Sequence, residues 1–62
     1  MDKKIKDLRI KLGMNQEQFA EIFNVTQGTV SQWETGLTKP RIDLLPKIAR
    51  LLGCTVDELL KE

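Results

Sequence analysis

Gln27, Gly28, Ser31, Gln32 and Thr35 follow one another at intervals that a helix would gather on one side. That stripe holds neither an aliphatic nor a charged side chain. A face meant only for solvation normally uses Lys and Glu. Amides and hydroxyls both donate and accept hydrogen bonds, which suits the edges of base pairs. Glutamine on adenine N6 and N7 is a favoured major-groove pairing. Taken alone, the stripe fits a neutral exposed helix face at least as well, so its surroundings must decide.

Other chemistries find little to work with. The chain has no histidine and one cysteine, Cys54. A protein-ligated zinc or copper site is therefore not expected. Cys–His and Ser–His–Asp catalytic sets are impossible, and no enzyme or cofactor is expected. Asp57 and Glu58 are adjacent acids, but they suit the first turn of a helix better than acid–base work. A lone cysteine makes no internal disulfide, which fits a reducing compartment. There is no apolar run long enough to span a bilayer and no signal peptide, so a soluble cytoplasmic protein is expected.

Net charge is only +1, but it is unevenly placed. Residues 2–12 and 38–50 each carry a balance of +3, residues 13–37 one of −3, and residues 51–62 one of −2. Two basic blocks thus bracket the Gln- and Thr-rich segment. By charge alone these blocks read as solvated helix faces. Lys39 and Arg41 stand just after the polar stripe, where they could flank a duplex. Gln16 stands at the expected first turn of a helix, where free N–H groups favour a phosphate. Such contacts would fix register without reading sequence.

The elements that must position these residues are short and sharply punctuated. With 62 residues, one domain covering residues 1–62 is expected. Helix 1 is expected over Lys3–Lys11, with Ile5, Leu8 and Leu12 on its apolar stripe and Gly13 as its stop. Asn15 with Gln18 forms a capping box for helix 2, whose buried face is Phe19, Ala20, Ile22 and Phe23. Asn24 ends it, tolerating a left-handed backbone. Thr26 caps helix 3, Val30 and Trp33 face inward, and Gly36 stops it. Asp43 is expected to cap helix 4 over Leu44–Leu52, with Pro46 harmless in the first turn. Leu44, Leu45, Ile48, Leu51 and Leu52 form its apolar face, and Gly53 ends it. Thr55 with Glu58 boxes helix 5, Val56–Lys61, where Val56, Leu59 and Leu60 close the core. No segment alternates as a strand does. The fold class is all-α, a compact five-helix domain.

Helices 2 and 3 are joined by Asn24–Thr26, too short for anything but a steep crossing. Ala20 is small where the helices approach, Asn24 turns the chain and Val30 plugs the gap. This spacing marks a helix-turn-helix over about residues 15–35, though some other all-helical domains would show it by chance.

The stretch NQEQFAEIFNVTQGTVSQWETGLTKPR resembles the Cro and repressor family of phage and bacterial helix-turn-helix regulators. The likeness extends through LRIKLGMNQ before it and IARLLGCTVDELL after it. It implies the lambda-repressor-like fold of five helices. It implies recognition of double-stranded DNA by helix 3 and a symmetric dimer on a palindromic operator. On this resemblance Gln27, Gly28 and Gln32 fall on base-reading positions, and Thr26 on one that touches a base or phosphate. Gln16, Thr35, Lys39 and Arg41 fall on phosphate-contacting positions, and Arg9 with Glu34 on an ion pair between helices 1 and 3. Ser31 belongs to the polar stripe itself. Two residues depart from the family pattern. Asn24 stands where glycine is usual, and Gly28 where a long polar side chain is often found. Gly28 removes one base contact, which bears on the operator's identity and leaves the mode of binding intact.

Plainer readings apply elsewhere. Trp33, Met14 and Cys54 read as packing residues, and the Arg9–Glu34 pair can be a surface pair of little value. Leu37 and Ile42, if exposed, could meet a second copy. The leading expectation is a small transcriptional regulator, a repressor in its simplest form. With no further domain in the sequence, no small-molecule effector is expected. Only a weak homodimer, formed on DNA through a small patch at the helix 4–5 end, is expected. A protein-interaction module, antitoxin- or coactivator-like, is the competing class. It would need apolar or aromatic anchors on helix 3, and the stripe offers none.

Overall fold

The computed structural model describes residues 2–61. The elements run α1 Asp2–Lys11, α2 Gln16–Ile22, α3 Gln27–Thr35, a short 3₁₀ turn Ile42–Leu44, α4 Leu45–Leu52 and α5 Val56–Leu60. No strand occurs among the described residues. None of the helices is long and apolar enough to cross a membrane.

Most boundaries are set by local chemistry. Asn15 Oδ1 accepts from the Gln18 N–H at 2.7 Å, and Gln18 Oε1 accepts from the Asn15 N–H at 3.0 Å. This reciprocal box satisfies two amides that α2 could not satisfy alone. Thr55 and Glu58 repeat it for α5. Thr26 Oγ1 accepts from the Thr29 N–H at 3.2 Å and starts α3. Gly36 ends α3 with φ +78°. Asn24 adopts φ +55° between α2 and α3, and the Val25 N–H returns to the Ala20 carbonyl at 3.1 Å. That left-handed residue turns the chain from one helix into the next. Asn24→Val should therefore destabilise the fold by about 1–2 kcal/mol, since a β-branched side chain clashes in this conformation. Asn24→Gly should be neutral or slightly stabilising. Urea denaturation of both variants checks the pair, and equal effects would contradict it.

The core is drawn from every helix. Ile5 and Leu8 of α1, Phe19 and Ala20 of α2, Val30 and Trp33 of α3, Leu45, Ile48 and Ala49 of α4 and Leu59 of α5 are all buried. Phe23 stacks edge-on against both Phe19 and Trp33, with ring centroids 5.0 and 5.8 Å apart. This places Trp33 in the packing. Lys47 closes one side: its ammonium lies 5.7 Å from the Phe23 ring centroid and donates to the Ile22 carbonyl at 2.8 Å. Met14 and Cys54 are half-buried against the core, so Cys54 is less enclosed than expected.

Four sequence expectations are corrected. Asp43 does not cap α4. The 3₁₀ turn runs straight into that helix, with Leu44 and Leu45 N–H groups bonded back to Arg41 and Ile42 carbonyls. The Asp43 carboxylate instead lies outside, 3.5 Å from Arg41 Nε. Helix 5 stops at Leu60, because Lys61 is extended. Leu12, Leu51 and Leu60 are exposed, lying at the rim of their apolar stripes. Ile22 is only half-buried for the same reason.

Candidate nucleic-acid interface

Burial of Val30 and Trp33 decides which way α3 faces. With these two turned inward, Gln27, Gly28, Gln32 and Thr35 lie exposed, and Ser31 is half-buried at the margin. The outer face of α3 is therefore polar and uncharged along its length. Thr26, Lys39 and Arg41 are also exposed. Gln16 is half-buried at the start of α2, beside this face.

The face is tied to the body of the protein by a buried ion pair. Arg9 of α1 grips Glu34 of α3 with two hydrogen bonds, Nε to Oε2 at 2.6 Å and Nη2 to Oε1 at 3.1 Å. The remaining Arg9 nitrogen, Nη1, donates to the Met14 carbonyl at 3.0 Å. The two side chains are only 14% and 5% exposed, so this is not a loose surface pair. Burial alone would push the Glu34 carboxyl up. The hydrogen bonds from Arg9 and Gln16, with the attraction of Arg9 and Lys6, outweigh it and hold the carboxyl below the usual carboxylate range. The Arg9 guanidinium is correspondingly held protonated by its bond to Glu34, against the cost of burial.

From Glu34 the bonds continue to the polar face. Gln16 Nε2 donates to Glu34 Oε1 at 3.2 Å, and Gln27 Nε2 donates to Gln16 Oε1 at 2.5 Å. These links join residues eighteen and eleven positions apart, which no sequence periodicity reveals. Other polar groups are partly engaged. The Thr26 hydroxyl caps α3 and lies 2.9 Å from the Thr29 hydroxyl. The Thr35 hydroxyl donates back to the Gln32 carbonyl at 3.2 Å. Thr38 was not singled out by sequence, yet its hydroxyl lies 3.5 Å from Gln32 Oε1.

Gly28 needs no special backbone. A Cβ added there would meet only the Thr26 hydroxyl, at an ordinary 3.9 Å. Gly28→Ala should therefore stabilise the fold by about 1 kcal/mol through helix propensity. Thermal denaturation checks this, and a loss of stability would contradict the open geometry. Among the described residues no cluster of His, Cys, Asp and Glu could hold a metal ion.

Comparison with known proteins places this arrangement. The helix-turn-helix family pattern matches residues 5–59. The chain is 36% identical over 59 residues to the transcriptional activator BcrR of Enterococcus faecalis, spanning 95% of this chain and 29% of that protein. It is 32% identical over 59 residues to the cryptic phage CTXphi transcriptional repressor RstR of Vibrio cholerae, spanning 95% of this chain and 53% of that protein. The chain thus covers about half or less of the length of these curated relatives. Among solved structures, it superposes on the P22 c2 repressor protein in complex with a synthetic operator. That match has a TM-score of 0.83 and 33% identity, and covers 98% of this chain and 92% of that one. The chain belongs to the helix-turn-helix family of Cro- and repressor-type proteins.

Proposed function

We propose that the chain binds a palindromic operator as a dimer, laying the outer face of α3 in the major groove of each half-site. The observation that carries this reading is the exposed, uncharged face of Gln27, Gly28, Gln32 and Thr35 over the buried Val30 and Trp33. In this reading Gln27 and Gln32 read base edges. Gly28 admits the close approach of a base pair, Ser31 works from the margin, and Thr26 reaches a base or phosphate once its cap is shared. Gln16, Thr35, Lys39 and Arg41 hold phosphates and set register. The solved relative was captured on an operator, which supports the same docking here.

The relatives include both an activator and a repressor. We infer repression by occlusion, the outcome that needs nothing beyond binding to DNA. Dimerisation is weak and forms on the operator through a small patch at the α4–α5 end, with exposed Leu37 and Ile42 as a further apolar contact. No small-molecule effector is required, and the setting is the cytoplasm.

A salt titration tests the DNA contact. Binding to random-sequence duplex should weaken linearly in log–log form as salt rises. Lys39→Ala should flatten that slope by about one unit per subunit and weaken all sequences alike. Binding without salt dependence, or a slope unchanged in the variant, would contradict the phosphate role of Lys39.

A further inference from the structure

We propose that Lys4 is a positioning residue for the dimer contact: it clamps the C-terminal carbonyls of α5 and holds that end in the pose that meets a second copy. The inference rests on the α4–α5 dimer patch proposed above.

Helix α5 is poorly secured by its own length. It has five residues, too few to be stable alone. Its start is fixed by the Thr55–Glu58 box, and Leu59 is the one residue that it buries fully. Its far end has no glycine stop. Lys61 is extended, and its N–H closes the last backbone bond, to the Asp57 carbonyl at 3.3 Å. Carbonyls beyond that bond need donors from elsewhere. Lys4 of α1 supplies them. Its ammonium donates to the Glu58 carbonyl at 2.9 Å and to the Lys61 carbonyl at 2.6 Å. A cation at a helix C-terminus is favoured by the helix dipole, and its hydrogen bonds are charge-assisted. Around the ammonium lies an open groove with Leu52 and Cys54 among its walls, so close packing does not secure this end.

The two clamped carbonyls bracket Leu60. With Leu59 turned into the core, Leu60 faces out and is 52% exposed. Leu60 and Leu51 are the exposed large apolar residues of α5 and α4, the groups that such a patch can offer a second copy. Ordering a mobile segment on association costs free energy, and a small contact has little to offset it. Holding the α5 end in place beforehand removes that cost. Lys4 also ties this end to the DNA face. The same helix, α1, grips α3 through Arg9 and α5 through Lys4, so one element relates the reading helix to the dimer contact.

Binding of three variants to two duplexes of equal length tests this. One duplex carries a palindrome enriched from random sequence, the other a single half-site of it. Circular dichroism checks folding. Lys4→Met removes the charge and keeps the apolar stem, Lys4→Arg keeps the donors, and Leu60→Ser removes the contact while leaving the clamp. The wild type should favour the palindrome. In Lys4→Met that advantage should shrink by about fivefold or more, since each copy loses two exposed charge-assisted bonds. Half-site binding should stay as it was. Lys4→Arg should restore the advantage, and Leu60→Ser should lose it as Lys4→Met does. An advantage unchanged in Lys4→Met but lost in Leu60→Ser would overturn the inference while leaving the dimer patch intact. Equal weakening on both duplexes in Lys4→Met would overturn it too, showing the clamp to be only a general stabiliser. A wild type without a palindrome advantage, or one whose advantage survives Leu60→Ser, would instead defeat the dimer reading proposed above, and this inference with it.

Discussion

Arg9→Met should lower stability by about 3–5 kcal/mol, because it leaves Glu34 charged, buried and without its partner. For a domain of this length the total stability is of order 3–9 kcal/mol, so much of the variant would be unfolded. The pH dependence gives the effect a signature that simple loss of packing lacks. In the wild type the Glu34 carboxyl is held below its ordinary value. A depressed carboxyl contributes stability that is present above its unfolded pKa and lost as pH falls through the folded one. The wild type should therefore be steady near neutrality and weaken in acid, below about pH 4. In Arg9→Met the burial that raises the carboxyl stands against only the Gln16 hydrogen bond and the attraction of Lys6, so the loss of stability in acid should shrink or vanish. Denaturation midpoints at several pH values check both. Parallel pH profiles for the two proteins would contradict the account of the pair.

Gln27→Ala and Gln32→Ala should each cost about 1–3 kcal/mol on the preferred duplex, roughly five- to more than a hundredfold in affinity. Both side chains are exposed, so the fold should hardly change. The loss should be confined to the preferred sequence. On random duplex, where attraction to phosphate dominates, the variants should bind as the wild type does. Each should also relax preference at its own base step and not at the other's. Competition titrations against single-step duplex variants resolve this. Equal losses on preferred and random DNA would remove both residues from the reading role.

Local features of the fold are legible in the sequence and tertiary ones are not, for physical reasons. Caps and stops are local, and the Asn15–Gln18 and Thr55–Glu58 boxes, Gly36 and Gly53 all appear where residue type places them. The left-handed Asn24 is of the same kind. The direction of α3 is legible too, because Val30 and Trp33 leave the polar stripe only one way to face. Asp43 misleads because an acid before a helix also fits the 3₁₀ entry that actually precedes α4. Leu12, Leu51 and Leu60 mislead because apolar periodicity gives a stripe but not its width, which packing decides. The site shows the same division. Gln16 reads from sequence as a phosphate contact only. Its bonds to Glu34 and Gln27 depend on how α1, α2 and α3 meet, and no spacing encodes that.

The central claim is that α3 reads DNA sequence, and selection of bound duplexes from a random library at near-physiological salt tests it most directly. Non-specific attraction is already weakened there. Enrichment of a palindrome with half-sites about one helical turn apart is the predicted result. Recovery of unenriched sequence, with only weak and salt-sensitive binding, would contradict it.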